Sequence, residues 1–397
     1  MSNTKSRAVQ PSSMTGLLPW LFAVACGLSV ANIYYAQPLL DSIASEFGIL
    51  PAHVGAVITV TQVCYALGLA LLVPLGDLWD RRRLVTGQMG LSVLALLIVA
   101  LAPNSMVFLA GIAVVGLLAV VTQTLVAFAA ALASPSSRGR IVGQVTSGVV
   151  IGILLARTAA GLLTDLAGWR SVYLVSALLL LISSMLLRRM LPADEKRHSR
   201  MPYSKLLLSV FTLFIQERVL RIRALLALFI FTAFSTLWTP LVLPLSAPPF
   251  SLSHTAIGAF GLAGAAGAFG AARAGRLADR GLGQAVSGIA LLLLLCSWPL
   301  IHAMDHSLVL LLLGILLLDL AVQAVHVTNQ SMILSVRPEA RSRLTAAYMI
   351  FYSIGSAAGS MISTQLFAHY GWTGVCILGA TVSAAALIFW IITRRPA

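Results

Sequence analysis

Apolar residues run along this chain in blocks of about twenty, parted by short polar breaks, and that pattern precedes every other inference. An α-helix rises 1.5 Å per residue, so about twenty apolar residues cross the hydrocarbon core of a bilayer. Twelve such blocks occur, at 17–38, 52–75, 84–102, 106–132, 141–163, 171–190, 224–246, 255–274, 285–303, 308–334, 344–366 and 373–392. The strict alternation of a transmembrane barrel is not seen. The expected fold is therefore an all-α integral membrane protein of 12 transmembrane helices, numbered here as spans one to twelve. An even number puts both termini on one side. The longest break, 191–222, splits the chain into a tail (1–16), a first six-helix bundle (17–190), a linker and a second six-helix bundle (223–397). Within the linker, Leu206 to Ile215 is apolar but too short to cross. Flanked by Lys205, Arg218, Arg221 and Arg223, it reads as a helix lying on the membrane surface; the alternative is an early start to span seven.

Composition agrees with lipid as the main solvent: 59% of the residues are hydrophobic and 10% charged. The net charge of +14 would suggest nucleic acid in a soluble chain, but here position decides. With the N-terminus in the cytoplasm, every Lys and Arg except Arg157 and Arg170 falls at the cytoplasmic ends of spans, while Asp41, Glu46, Asp165 and Asp305 lie in the outer loops. The basic excess is an orientation signal, and a nucleic-acid partner is excluded. Cys26, Cys64, Cys296 and Cys376 all lie in apolar spans, as small hydrophobes rather than metal or disulfide partners. The first apolar run has no cleavage-site pattern behind it and reads as a retained span.

The halves echo each other. Gly76-Asp77-Leu-Trp-Asp80-Arg81 after span two recurs as Gly275-Arg-Leu-Ala-Asp279-Arg280 after span eight. Arg138-Gly-Arg140 recurs as Arg341-Ser-Arg343, and Gly168-Trp169 as Gly371-Trp372. Three landmarks in one order, between halves of six spans each, make a parallel repeat about an axis along the membrane normal. The Gly-x-Leu-x-Asp-Arg loop and this repeat resemble the major facilitator superfamily over essentially the whole chain. Asn32-Ile-Tyr-Tyr35 and Gln37-Pro38 in span one are similar to the bacterial drug/proton antiporter branch. The resemblance implies an inner-membrane permease driven by the proton gradient without a cofactor, functional as a monomer, with the first helix of each three-helix unit lining the pathway. The cytoplasmic loop motif is Gly76, Asp77, Asp80 and Arg81 with Gly275, Asp279 and Arg280, and the resemblance implies that Asp77, Asp80 and Arg81 to Arg83 form a latch between the halves, where spacing alone makes them positive-inside anchors. The chain departs from the antiporter pattern in span five, where Ala156-Arg157 stands in place of Gly-Pro.

Polar residues inside the spans give the candidate chemistry. Such groups face protein or a water-filled cavity, because lipid cannot satisfy them. Asn32, Tyr35, Gln62, Gln123, Arg157, Trp238, Gln323 and Tyr352 are the candidate lining of a substrate cavity, with spans three, six, nine and twelve turned to lipid. Span ten carries the densest group: Asp319, Gln323, His326 and Gln330 fall at i, i+4, i+7 and i+11, one stripe of a helix. Asp319 sits near mid-membrane, where a carboxylate is costly to keep charged, so it could bind and release a proton as its exposure switches. His326, two turns nearer the cytoplasm, is the second candidate for proton coupling. Arg157 could pair with an anionic solute, pair with Asp319, or snorkel to the outer interface. The glycines 258, 261, 264, 267 and 270 of span eight read as a close-packing stripe.

These readings converge on a proton-coupled secondary transporter of small organic solutes, with export of a drug or metabolite as the leading form and symport of a small metabolite, an anionic one included, as its alternative. A membrane enzyme would need a matched nucleophile and base or a ligand cluster, and a sensor a soluble output domain; neither is present in the pattern.

Overall fold

The computed structural model describes residues 16–134, 137–191, 202–337 and 340–394, and among them every regular element is helical. Among the described residues nine helices meet the length and apolarity needed to cross a membrane. The last of these, Arg343–Thr393, contains two of the predicted spans, because Gly371 breaks it with φ 63° and ψ −157°. That backbone region is essentially closed to other residues, and Gly168, the matching landmark of the first half, occupies it too at φ 77° and ψ 161°. At this landmark the sequence repeat is also a repeat of backbone geometry. Two further predicted spans are interrupted. In span one the α-helix Leu18–Ala31 gives way to i→i−3 turns, with Ile33 bonded to Val30 and Tyr34 to Ala31, and then to the 3₁₀ turn Gln37–Leu39. Span eight is α-helical over His254–Ala259, 3₁₀ over Phe260–Ala263, and α-helical again over Gly264–Leu277.

The expected lipid-facing spans carry rows of exposed large side chains: Leu91, Leu94 and Ile98 in span three, Leu178, Ile182 and Met185 in span six, Ile289 and Leu292 in span nine, Ile377, Ile388 and Ile391 in span twelve. Span seven (Arg218–Trp238) lies in the most enclosed of those nine helices, packed chiefly against the helix Arg341–Thr393 that holds spans eleven and twelve. The linker contains a separate helix, Tyr203–Gln216, divided from span seven at Glu217, whose backbone is extended. It buries Leu206, Val210 and Leu213 and exposes Leu208, Phe211 and Ile215, and the Tyr203 hydroxyl donates to the Leu71 carbonyl of span two.

The two halves meet at the end that the charge pattern assigns to the outside. There Thr59 donates to the Ala357 carbonyl (3.1 Å) and Thr158 to the Gly258 carbonyl (3.0 Å). Gly55 lies so close to span eleven that a Cβ on it would be 2.3 Å from the Ser360 oxygen. His254, at the start of span eight, joins the halves directly: its Nε2 lies 3.1 Å from Asp41 and 3.0 Å from Ser42, its Nδ1 3.1 Å from Asp165. Asp165 also accepts from the Thr255 amide and hydroxyl at 2.8 and 2.6 Å, so one carboxylate of the first half holds the first turn of a second-half helix.

Candidate functional site

Mid-chain positions of spans one, five, seven, eight, ten and eleven converge on one polar group between the halves. Its centre is Trp238, the last residue of the span-seven helix. One face of its indole carries the Arg157 guanidinium at 3.9 Å from the ring centroid, and its Nε1–H donates to Asp319 Oδ1 at 3.1 Å. A cation from span five and an acid from span ten are thus linked through one aromatic ring, the cation by its attraction to the ring face. Arg157 is 3% exposed and Asp319 4%. The guanidinium therefore turns into the protein and does not reach for the interface. Its Nε donates to Gln37 Oε1 of span one (2.8 Å), while Tyr34 and Phe234 flank it at 5.3 and 5.4 Å. Its Nη2 is buried without a hydrogen-bond partner. A small cavity beside it is lined by Gln37, Pro38, Arg157, Trp238, Leu241, Val242 and Ile257.

The glycines of span eight make this approach possible. A Cβ at Gly261 would stand 3.1 Å from Arg157 Cβ; at Gly264, 2.9 Å from Asp319 Oδ2; at Gly267, 3.0 Å from the Asp319 carbonyl oxygen. The stripe read as simple close packing is the wall against which both ionisable residues lie.

The other candidates divide into groups. Tyr352 belongs to the centre, its hydroxyl 2.5 Å from that of Tyr34 and its ring 3.9 Å from Phe231. Gln123 donates weakly to the Tyr65 hydroxyl (3.5 Å), and Gln62 is buried nearby on span two with Oε1 unpartnered. Gln323 lies against Gly267. Asn32 and Tyr35 turn away: both hydrogen-bond Ser176 of span six, inside the first bundle. From span one Gln37 and Tyr34 reach the centre, and Tyr34 was not singled out by helical spacing because the α-helix ends at Ala31 and the following i→i−3 turns wind more tightly.

His326 heads a separate network. Its Nδ1 lies 2.9 Å from the Tyr348 hydroxyl, Tyr348 is hydrogen-bonded to Asn329, and Asn329 accepts from Arg223, a buried guanidinium that also donates to Ser287. Seven helical residues, about 10 Å of rise, separate His326 from Asp319. The loop motif makes local contacts: Arg81 Nε donates to the Gly76 carbonyl, and Asp80 caps the span-three helix by accepting from the Arg83 amide at 2.8 Å. Arg280 is exposed and Gly275 packs on Val327. The side chains of Asp77 and Asp279 lie outside the described residues. No cluster of His, Cys, Asp or Glu suited to a metal occurs among the described residues.

The family model of the Major Facilitator Superfamily matches residues 21–318 and 281–397. The chain belongs to this superfamily. Relatives within it include the uncharacterized transporter YgaY of Escherichia coli O157:H7, 48% identical over 370 residues that cover 93% of this chain and 94% of that one. The transporter SCO4007 of Streptomyces coelicolor is 32% identical over 379 residues, 95% of this chain and 87% of its own. Among solved structures, a bacterial homolog of the human lysosomal transporter Spinster, inward-facing and occupied, superposes with a TM-score of 0.75 at 13% identity, covering 94% of each chain. The nucleoside transporter NupG gives 0.70 at 15% identity, covering 94% of this chain and all of its own. At such identities these likenesses establish the superfamily fold. The protein is a membrane transporter of that fold and not an enzyme.

Proposed function

We propose that this chain is a proton-coupled secondary transporter of small organic solutes, with Asp319 as the proton carrier and the Arg157–Trp238–Asp319 group as the central site. The observation that carries the reading is Asp319 itself: a nearly inaccessible carboxylate in mid-membrane, held by one indole N–H, at the seam between the halves. Rocking of the halves exposes such a group to each side in turn, and its proton is exchanged where it meets water. His326, bonded to Tyr348, is the second proton-handling candidate. Export by antiport is the form that the likeness of span one to the drug/proton branch favours. Arg157, turned inward on Trp238, supports the other form, symport of an anionic solute. The linker helix, with its exposed Leu208, Phe211 and Ile215, serves as an interfacial support on the cytoplasmic face, and the basic ends of the spans support a reading with both termini on that face, in the inner membrane of a bacterium.

Purified protein in proteoliposomes with an imposed pH gradient, given a panel of neutral, cationic and anionic solutes, tests the reading. Solute-dependent proton flux is expected, and Asp319→Asn should abolish it while leaving thermal stability in place. Undiminished coupled flux in that variant removes Asp319 from the role.

A further inference from the structure

Arg157 is a buried cation with an incomplete set of partners. One nitrogen is engaged by Gln37, three aromatic rings surround the guanidinium, and Nη2 has no acceptor, beside a small cavity that Arg157 itself lines. A guanidinium in a low-dielectric interior is held there by countercharge. Asp319, bonded to the N–H edge of the same indole, is the acid whose charge reaches it. When Asp319 is ionised the pair is neutral overall. When Asp319 is protonated the site carries one uncompensated positive charge, and the free Nη2 is the donor at which an anion can restore balance.

We infer that the central site takes its solute as an organic carboxylate on Arg157, in the same step as Asp319 takes a proton. This rests on the coupling role proposed for Asp319. The two forms that cross the membrane are then both neutral: Arg157 with ionised Asp319 on the empty return, Arg157 with protonated Asp319 and the bound carboxylate on the loaded one. Exchange of a proton for a carboxylate would instead carry a net positive charge one way and a net negative charge the other through a site that is 3–4% exposed, so the charge balance selects co-transport. The rings of Tyr34, Phe234 and Trp238 around the cation give the body of the solute an aromatic and apolar surround, which suits a carboxylate on a small apolar frame.

The probe is a set of monocarboxylates with two to ten carbons, phenylacetate and nicotinate among them, each paired with its uncharged amide and added to the purified full chain. Thermal stabilisation reports binding and a pH indicator in weak buffer reports proton exchange. The expected result is that one or more carboxylates bind where their amides do not, with uptake of about one proton per anion and weaker binding as pH rises. Arg157→Gln should weaken that binding roughly tenfold to a hundredfold, the loss of a charged hydrogen bond, and Arg157→Lys should restore part of it. Asp319→Asn should bind the anion with no proton uptake. Failure of every carboxylate to outbind its amide in the wild-type protein overturns the inference without recourse to any variant, as does binding that releases protons or that Arg157→Gln leaves unchanged. Proteoliposomes separate this failure from that of the coupling role. Asp319-dependent proton flux driven by amides or amines alone keeps the coupling and removes the anion; carboxylate movement that needs Arg157 but drives no proton flux removes the coupling and the joint loading with it.

Discussion

At the scale of single residues, Gly264 is the position where a single methyl group discriminates most sharply. A Cβ there would sit 2.9 Å from Asp319 Oδ2 and 3.0 Å from Leu154 Cδ2, closer than packed atoms come, so the carboxylate or the span must shift. Overpacking of this kind costs about 1–3 kcal/mol. Gly264→Ala is expected to fold with a thermal midpoint lowered by a few degrees and to lose most proton-coupled flux; full flux with a lowered midpoint would mean that Asp319 has room that the structure does not give it. Along span ten, single cysteines at Gln323 and His326 should react with a water-soluble maleimide, because both positions are half-buried on the central face, whereas Val322 and Val325 are fully buried in packing and should not. Equal reaction at all four would remove the polar stripe as a description of that helix. Asp319 was legible in the sequence as the acid at mid-membrane depth. Its pairing with Arg157 was legible only as one of three alternatives, because the contact runs through Trp238, 81 residues away along the chain, and nothing in local spacing ties spans five, seven and ten together.

At the scale of elements, the breaks matter more than the helices. The blocks of apolar residues located the spans, because lipid imposes length and composition on each one separately. They could not show that span one unwinds after Ala31, which sends Tyr35 to Ser176 and Tyr34 to the centre, nor that span eight begins as a short helix held by the first half. The second break supplies a pH dependence. His254 faces Asp41, Ser42 and Asp165, and its proton is held more tightly than in free histidine, first by the hydrogen bond to Asp41 and then by the charges of both acids, which outweigh its partial burial. A group whose proton affinity rises on forming a contact stabilises that contact below its free pKa, near 6.5, and loses the contribution as pH climbs through the higher bound value. The closed outer end should therefore be firmest in acid and loosen above neutrality. Thermal midpoints measured from pH 6 to 8.5 should fall more in the wild-type chain than in His254→Gln, which lacks the titrating group; parallel profiles would show that the contact contributes no pH-dependent stability. Nearby, Arg170 holds the Glu46 carboxyl below its usual range through a direct hydrogen bond, aided by Trp169, so that carboxylate stays charged across this window and does not confound the comparison.

At the scale of the whole molecule, transport by two rocking halves requires the contacts at the outer end to part and re-form. Those contacts are of two kinds: the His254 bridge, which responds to pH, and the close backbone seam between spans two and eleven, which does not. The seam depends on Gly55, where a Cβ would lie 2.3 Å from the Ser360 carbonyl oxygen and 2.5 Å from Thr364 Oγ1. A large side chain cannot be accommodated there with the end closed, whereas it can project into the gap once the halves separate. Gly55→Trp is therefore expected to shift the population toward the form open at that end. The readout is a cysteine at Val242, which is 1% exposed and lines the cavity beside Arg157. Its labelling by an impermeant reagent from the outer side of intact cells should be slow in the otherwise wild-type protein and several-fold faster with Gly55→Trp, while coupled flux falls because the closed form is no longer reached. Labelling that stays slow in a folded variant would mean that the seam between spans two and eleven does not govern access. Labelling that becomes fast only from the inner face of inverted vesicles would reverse the orientation assigned by the basic residues, since it would place the Asp41 and His254 end in the cytoplasm.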